Sequence, residues 1–347
     1  MRVAVISDIH GNLASLEAVL ANIDAVEAER AVKLDEQLAR KRAEREAGNS
    51  GIAQPQSRRD QRQRPGPDEV TSLSEPEENL NEKLEATVCL GDMVGHAAHP
   101  NEVLDLLRDR KVEMVRGNYD EAAVGLRDAT GADYASTREQ EADRAAVRWT
   151  AEHLTAENAQ FLKVMRTDAR LQVTRSGRQL GPIRETPDPS KGQRSNILTG
   201  FFVGGAVARM GRSPRQIQPR TLLFVHGSPR DVVEYLYPGT ATSILNAIAG
   251  GAKADMIIHG HSHLAYHRVA GSVAFVGVGS VGRSRTGGQA EYSILEIAGK
   301  DIDVETHIVA YDVEREIRDL DSSGLPRELA EVLRSGSFPH PNTAAVN

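Results

Sequence analysis

The chain has one cysteine, few aromatic residues and no long apolar run. With Cys89 as its single cysteine, an internal disulfide is excluded. Cys89 lies in "ATVCLGD" and reads as a small buried residue. Aromatic residues make up 4% of the 347 positions and hydrophobic residues 39%. Both values are low for a chain that packs throughout, so part of the length is expected outside any core. No stretch approaches the roughly 20 apolar residues of a membrane span, which removes the membrane from the expected partners. The opening "MRVAVISD" lacks the apolar region of a signal peptide and reads as a strand, so a soluble, cytoplasmic protein is expected. A net charge of -7 argues against a chain-wide nucleic-acid surface. Nucleic acid enters only as a substrate, and an oligomer stays open.

What is present is a series of short apolar runs, each broken by polar residues. "RVAVIS" is β-branched and reads as a strand buried on both faces. Leu13, Leu16, Val19, Leu20, Ile23 and Val26 follow at helical spacing. "ATVCL", "VEMVRGN", "TLLFVHGSP" and "ADMIIHGHSH" are further strands running into turns, and "NEVLDLLRD" and "SILNAIAG" are helices. "REQEADRAAVRWTAEHLTAENAQFLKVM" reads as helical, with Trp149 in the core. "YHRVAGSVAFVGVGSVG", "EYSILEIAG" and "DIDVETHIV" read as strands, the last with one exposed face.

Two stretches interrupt this order. Residues 27–84 are dense in charge. Their first part has strong helix formers that can extend the first helix as a solvated rod. Their second part has the composition of a disordered loop. Residues 174–220 are irregular and basic, with nine Arg or Lys against two acids from 175 to 220. The expected organisation is one domain over residues 1–310 carrying both insertions, then a helical segment and flexible tail over 311–347.

Residues able to hold metal fall at the ends of the apolar runs. Asp8 and His10 follow the first, Asp92 the second, Asn118 the third and His226 the fourth. "IIHGHSHLAYH" then supplies His259, His261, His263 and His267. Three of these alternate, which on an extended backbone places them on one side. Imidazole is the commonest metal ligand, and open α/β sheets build sites outside the carboxyl ends of strands. Any one of these residues is weak evidence, whereas the whole series points to metal.

"SDIHGN", "LGDMVG", "GNYD", "VHGSP" and "HGHSH" resemble the five motifs of the calcineurin-like metallophosphoesterases, most closely the small bacterial and archaeal phosphodiesterase-type branch. The resemblance covers about residues 1–26, 85–173 and 221–310. It implies a four-layer α/β/β/α sandwich and a dinuclear metal centre. Carried over, Asp8, His10 and His263 hold the first metal, Asn118, His226 and His261 the second, and Asp92 bridges them. The implied cofactors are two divalent transition-metal ions, Mn first, with Fe, Zn or Ni as alternatives. Mixed carboxylate and imidazole ligands suit these ions and do not suit Ca. Ions about 3.5–4 Å apart lower the pKa of a bridging water and neutralise charge at phosphorus.

The implied activity is hydrolysis of a phosphoester substrate, a phosphodiester first. The alternatives are a phosphomonoesterase acting on phosphoproteins or nucleotides, and a metal-binding scaffold that recruits partners through its charged insertion. One motif departs from the family: Tyr119 stands where many members carry a leaving-group histidine. The proton-donor candidates are therefore Tyr119 and His96. Arg230 either reaches a phosphate oxygen or forms a surface salt bridge. Asp120 is expected to orient its motif or a ligand histidine. Gly11, Gly91, Gly117, Gly227 and Gly260 are expected to allow tight turns. His259 reads as structural, and His267 and His153 have no expected role.

Overall fold

The computed structural model describes residues 1–49, 84–173, 220–298 and 301–338. The chain divides into two units, Met1–Ile23 with Leu84–Asn347, and Asp24–Lys83. Most of both insertions, residues 50–83 and 174–219, lies outside the described residues, as does the tail beyond residue 338.

In the larger unit the apolar runs form two five-stranded sheets. β1 (Arg2–Ile6) pairs in parallel with β2 (Leu84–Cys89), and β2 with β3 (Glu113–Met114). On its other side β1 is antiparallel to β9 (Gln289–Ala298), which pairs with β10 (Asp301–Ala310). The second sheet runs β4 (Asp168–Val173), β5 (Arg220–Val225), β6 (Met256–His259), β8 (Val273–Gly277), β7 (Tyr266–Ala270). Its β5, β6 and β8 are mutually parallel.

Alternation along the strands sets the layers. Val3, Val5, Val88 and Leu90 of the first sheet meet Leu222, Phe224, Met256 and Ile258 of the second in one buried cluster. Burying a side chain such as Phe224 contributes about 1.5–3 kcal/mol. The opposite face of the second sheet, with Leu223, Val225, Ile257 and Phe275, packs on Leu245, Ile248 and Ala252 of α6 (Thr242–Ala252). On the outer face of the first sheet, Tyr292 donates to Asn22 of α1 (Leu13–Asn49) at 2.9 Å, which places the start of that helix there. The result is the expected α/β/β/α arrangement.

The smaller unit's described residues, 24–49, continue α1. Between Asp24 and Glu44 no side chain is buried. The rod carries i,i+4 pairs, Glu29 with Lys33 at 2.6 Å and Arg40 with Glu44 at 3.0 Å, the kind that supports an isolated helix by a few tenths of a kcal/mol each.

Three elements differ from the sequence reading. The long helical stretch is two helices, α4 (Thr137–His153) and α5 (Ala156–Val164). They break at Leu154 because Thr155 takes the N-cap role, its side chain accepting from the Asn158 amide. β4 was not expected. α7 (Val313–Ser323), inside the segment expected to be helical, joins α4 and α8 (Glu328–Ser335) around Leu320, Leu329 and Leu333. Trp149 packs on that cluster and donates Nε1–H to the Ser323 carbonyl at 2.9 Å. In β10 the buried side changes along the strand. Ile302 and Val304 lie against the inter-sheet core, but Ile308 is 63% exposed and His307 stacks on Tyr292 instead. Among the described residues no helix is long and apolar enough to cross a membrane.

Candidate metal centre

Parallel pairing brings the carboxyl ends of β1, β2, β5 and β6 to one edge of the two sheets. The loops leaving these ends are held in an uncommon conformation. Asp8, His10, Asp92, His261 and His263 all have positive φ, between 50° and 62°. Non-glycine residues rarely adopt this left-handed region, at a cost of order 1–3 kcal/mol each, and they persist there only where their surroundings over-determine them. The surroundings are visible. The Asp8 amide donates to the Gly91 carbonyl at 3.0 Å, and that of His10 to the Asp92 carbonyl at 2.9 Å.

Each of the two aspartates parks one oxygen on the backbone and aims the other inward. Asp8 Oδ2 accepts from the His261 amide at 3.1 Å, and Asp92 Oδ1 from the Tyr119 amide at 2.8 Å. The free oxygens face ring nitrogens. Asp8 Oδ1 lies 3.2 Å from His263 Nε2 and 4.0 Å from both His10 Nε2 and His226 Nε2. Asp92 Oδ2 lies 3.2 Å from His226 Nε2 and 3.9 Å from His10 Nε2. Asp92 thus faces both groups with a single oxygen.

Three histidines are oriented by carbonyls behind them. His226 Nδ1 donates to Leu90 O at 2.9 Å, His263 Nδ1 to Arg283 O at 2.8 Å, and His261 Nε2 to Val233 O at 3.3 Å. Each then presents its other nitrogen to the centre. The Asn118 amide donates to Thr130 O at 2.9 Å, which turns its Oδ1 toward His226 Nε2, 2.8 Å away. His10 Nε2 and His263 Nε2 are 3.3 Å apart, and His226 Nε2 and His261 Nδ1 3.2 Å. All seven expected ligand positions are brought together. Ligand atoms of Asp8, His10 and His263 form one group, and those of Asp92, His226 and His261 another, each within 4.8 Å.

These donors fit divalent metal. Asp8 Oδ1 is buried and receives no hydrogen bond. Ring nitrogens crowd one another at 3.2 and 3.3 Å, a spacing that needs a proton or a metal cation between them. The electrostatics agree. Burial alone would lower His226, but the Asp92 and Asp8 carboxylates push it up to about 9. Burial would raise Asp8, and His263, His226 and His10 hold it well below its ordinary range. Burial and His226 bring His261 down to about 2, so its lone pair stays available. Such nitrogen and oxygen sets select transition metals.

Close packing fixes the loops. A Cβ on Gly117 would stand 2.2 Å from Asp92 Oδ1, and one on Gly260 2.0 Å from Ser7 Oγ and 2.7 Å from Asp8 Oδ2. Asp120 holds the Asp92 loop itself. It accepts from the Met93 and Val94 amides at 2.9 and 3.2 Å and from the Gly117 amide at 2.9 Å. Burial and the nearby Asp92 raise it to about 7.

The residues read as acids or anion binders are placed differently. Tyr119 is buried, its ring 4.8 Å from that of His10, and its hydroxyl donates to Asp143 at 2.5 Å. Asp143 also accepts from Tyr134 at 2.5 Å and Thr130 at 3.2 Å. His96 sits 5.0 Å from the His10 ring and accepts from Arg283 Nη1 at 3.2 Å, and burial and Arg283 hold it well below its usual range. Arg230 is 51% exposed and paired with Glu234, so it takes the salt-bridge alternative and reaches no ligand residue. His259 is fully buried, with Nε2 2.9 Å from the Tyr266 hydroxyl, and is structural. His267 is exposed, and His153 stacks on Trp149 at 3.9 Å.

Sequence reasoning missed the loop after β8. Ser280 Oγ and the Gly282 amide both donate to Asp8 O, at 2.8 and 3.0 Å. A Cβ on Gly282 would fall 1.7 Å from Ile9 O. This return places the Arg283 carbonyl on His263 and its guanidinium on His96. The "GSVGRSR" stretch offers a signal only in hindsight, as glycine and serine interrupting an apolar run. Arg283 also lines a cleft of about 580 Å³ that opens beside Asp92, His261 and His263.

Comparison with known proteins agrees with this geometry. Residues 207–300 match the model of the calcineurin-like phosphoesterase superfamily domain. An uncharacterised protein of Methanocaldococcus jannaschii is 25% identical over 274 residues, covering 74% of this chain and 88% of its own. The crystal structure of a metallophosphoesterase from Sphaerobacter thermophilus is similar with a TM-score of 0.54 at 20% identity, over 97% of this chain and 99% of its own. A hypothetical protein of Pyrococcus horikoshii has the same coverage, a TM-score of 0.59 and 16% identity. The two structures share the fold.

Proposed function

We propose that this chain, which belongs to the calcineurin-like phosphoesterase superfamily, hydrolyses phosphodiesters at a centre of two divalent metal ions. The observation that carries the reading is the convergence of seven donor atoms from the carboxyl ends of five strands, five of their residues in left-handed backbone. Asp8 Oδ1, His10 Nε2 and His263 Nε2 would hold one ion. Asn118 Oδ1, His226 Nε2 and His261 Nδ1 would hold the other, with Asp92 Oδ2 shared. Ions held there would supply Lewis-acid charge and lower the pKa of a water.

The chain's own residues then fix position and proton flow. Asp120 and the carbonyls of Leu90, Val233 and Arg283 keep the donors aimed. Arg283 brings a fixed positive charge to the cleft, suited to an anionic ester. Neither acid candidate is free to give a proton, because Tyr119 donates to Asp143 and His96 is an acceptor from Arg283. Esters with good leaving groups should therefore react faster than alkyl esters. A scaffold that had abandoned catalysis would be expected to lack ligands, and all seven are present. The test is a panel of mono- and diesters with added Mn²⁺. Turnover of diesters above monoesters supports the reading, and a strict preference for monoesters moves it to the phosphatase alternative.

A further inference from the structure

We infer that the cleft beside the metal centre is a subsite for the base of a nucleotide phosphoester, an inference that rests on the phosphoesterase reading above. The chain has only seven tyrosines. Four of them, Tyr119, Tyr134, Tyr235 and Tyr237, line this one cleft. Tyr119 and Tyr134 are accounted for by Asp143, which takes both hydroxyls. Tyr235 and Tyr237 are not among the hydrogen-bond partners of Asp143. The Tyr235 ring lies on that of His261, at 3.8 Å and 20°. Tyr237 is parallel to Tyr235 within 4°, with centroids 5.5 Å apart, so the two are offset. Both are half-buried. Parallel, rigid, partly open rings are the platform on which a planar base stacks, because every base has a π-face.

The charge beside the rings suits the rest of such a ligand. Arg283 and Arg285 also line the cleft. Arg285 connects its two ends. Its Nε donates to the carbonyl of Ser262, between His261 and His263, at 2.9 Å, and its positive charge lies near enough to Tyr237 to oppose the upward push of burial on that hydroxyl. A cation therefore lies between the metal centre and the ring platform, where an anion joined to a base would have its phosphate. Size decides against a bare phosphate. About 580 Å³ falls in the range of pockets that enclose drug-sized ligands, and a small alkyl ester would leave most of it to water.

The test compares two esters that share the reacting group, adenosine 2′,3′-cyclic phosphate and ribose 2′,3′-cyclic phosphate, with Mn²⁺-loaded protein. The expected kcat/KM ratio is about tenfold or more in favour of the base, carried by KM, the weight of one base–aromatic stack. Tyr237→Leu should bring the ratio to about one. Tyr237→Phe, which keeps the ring, should preserve it, and melting curves confirm that both variants fold. Calorimetric binding of adenosine monophosphate against ribose 5-phosphate gives a readout without turnover, with the same expected tenfold. A ratio near one in the wild type, or one that survives Tyr237→Leu, overturns the subsite. If both cyclic esters are hydrolysed at equal rates, the phosphodiesterase reading stands and the subsite falls. If neither is hydrolysed but Tyr237→Leu removes a preference for adenosine monophosphate, the subsite stands and the phosphodiesterase reading falls.

Discussion

The two ligand groups are built alike but are held differently. In the second, every donor has a group behind it. Asn118 is tied to Thr130, His226 to Leu90, and His261 to Val233 and the Tyr235 ring. All are buried. In the first, Asp8 is tied to the His261 amide and His263 to the Arg283 carbonyl, but the His263 side chain is 14% exposed. His10 has no such tie, because its Nδ1 has no hydrogen-bond partner. Orienting partners behind a ligand contribute roughly 10- to 100-fold in metal affinity. The second group should therefore bind its ion more tightly, and the first should exchange first.

The largest effect is expected where the difference disappears. Asp92 Oδ2 faces both groups, so Asp92→Asn should release both ions and lower hydrolysis by more than the roughly 100-fold that loss of one orienting partner costs. Two retained equivalents with normal turnover would show that Asp92 is not shared.

Next come the variants that separate the groups. His263→Ala should leave one equivalent of metal that resists chelator, and His261→Ala should leave one that is lost readily. Equal resistance would erase the asymmetry. Gly282→Ala is a subtler probe. Its Cβ has no room against Ile9 O, so the loop carrying the Arg283 carbonyl must shift. First-group affinity should fall by roughly 10- to 100-fold, with the second group unchanged in a metal titration.

Smaller effects are expected away from the ligands. Tyr119→Phe removes a hydrogen bond to the buried Asp143 carboxylate and should lower stability by about 1.5–3 kcal/mol. The dependence of kcat/KM on leaving-group pKa should stay the same, because the hydroxyl is already committed. A steeper dependence in the variant would restore Tyr119 as a proton donor. Arg230→Ala should change stability by no more than about 1 kcal/mol, as for an exposed pair, and should leave metal content alone.

The ligands were legible in the sequence because each ends an apolar run, and a strand's carboxyl end is readable from that break alone. What tertiary structure adds was not legible. Arg230 was singled out for its place four residues after His226, but the turn directs it to Glu234. Tyr119 was placed by its motif, yet its hydroxyl is captured by Asp143, 24 residues on and on another helix. Arg283 reaches the centre only because the loop after β8 folds back on Asp8. β4 was missed because "DARLQV" is a short edge strand that runs straight into the irregular basic stretch.

The account depends most on the metals, and metal content measured together with turnover tests it most directly. Protein purified without chelator should carry two equivalents of divalent transition metal. Chelation should remove them in two phases and abolish phosphoester hydrolysis, and Mn²⁺ should restore it. Folded protein that binds no divalent transition metal, or hydrolysis that survives complete chelation, would contradict the account.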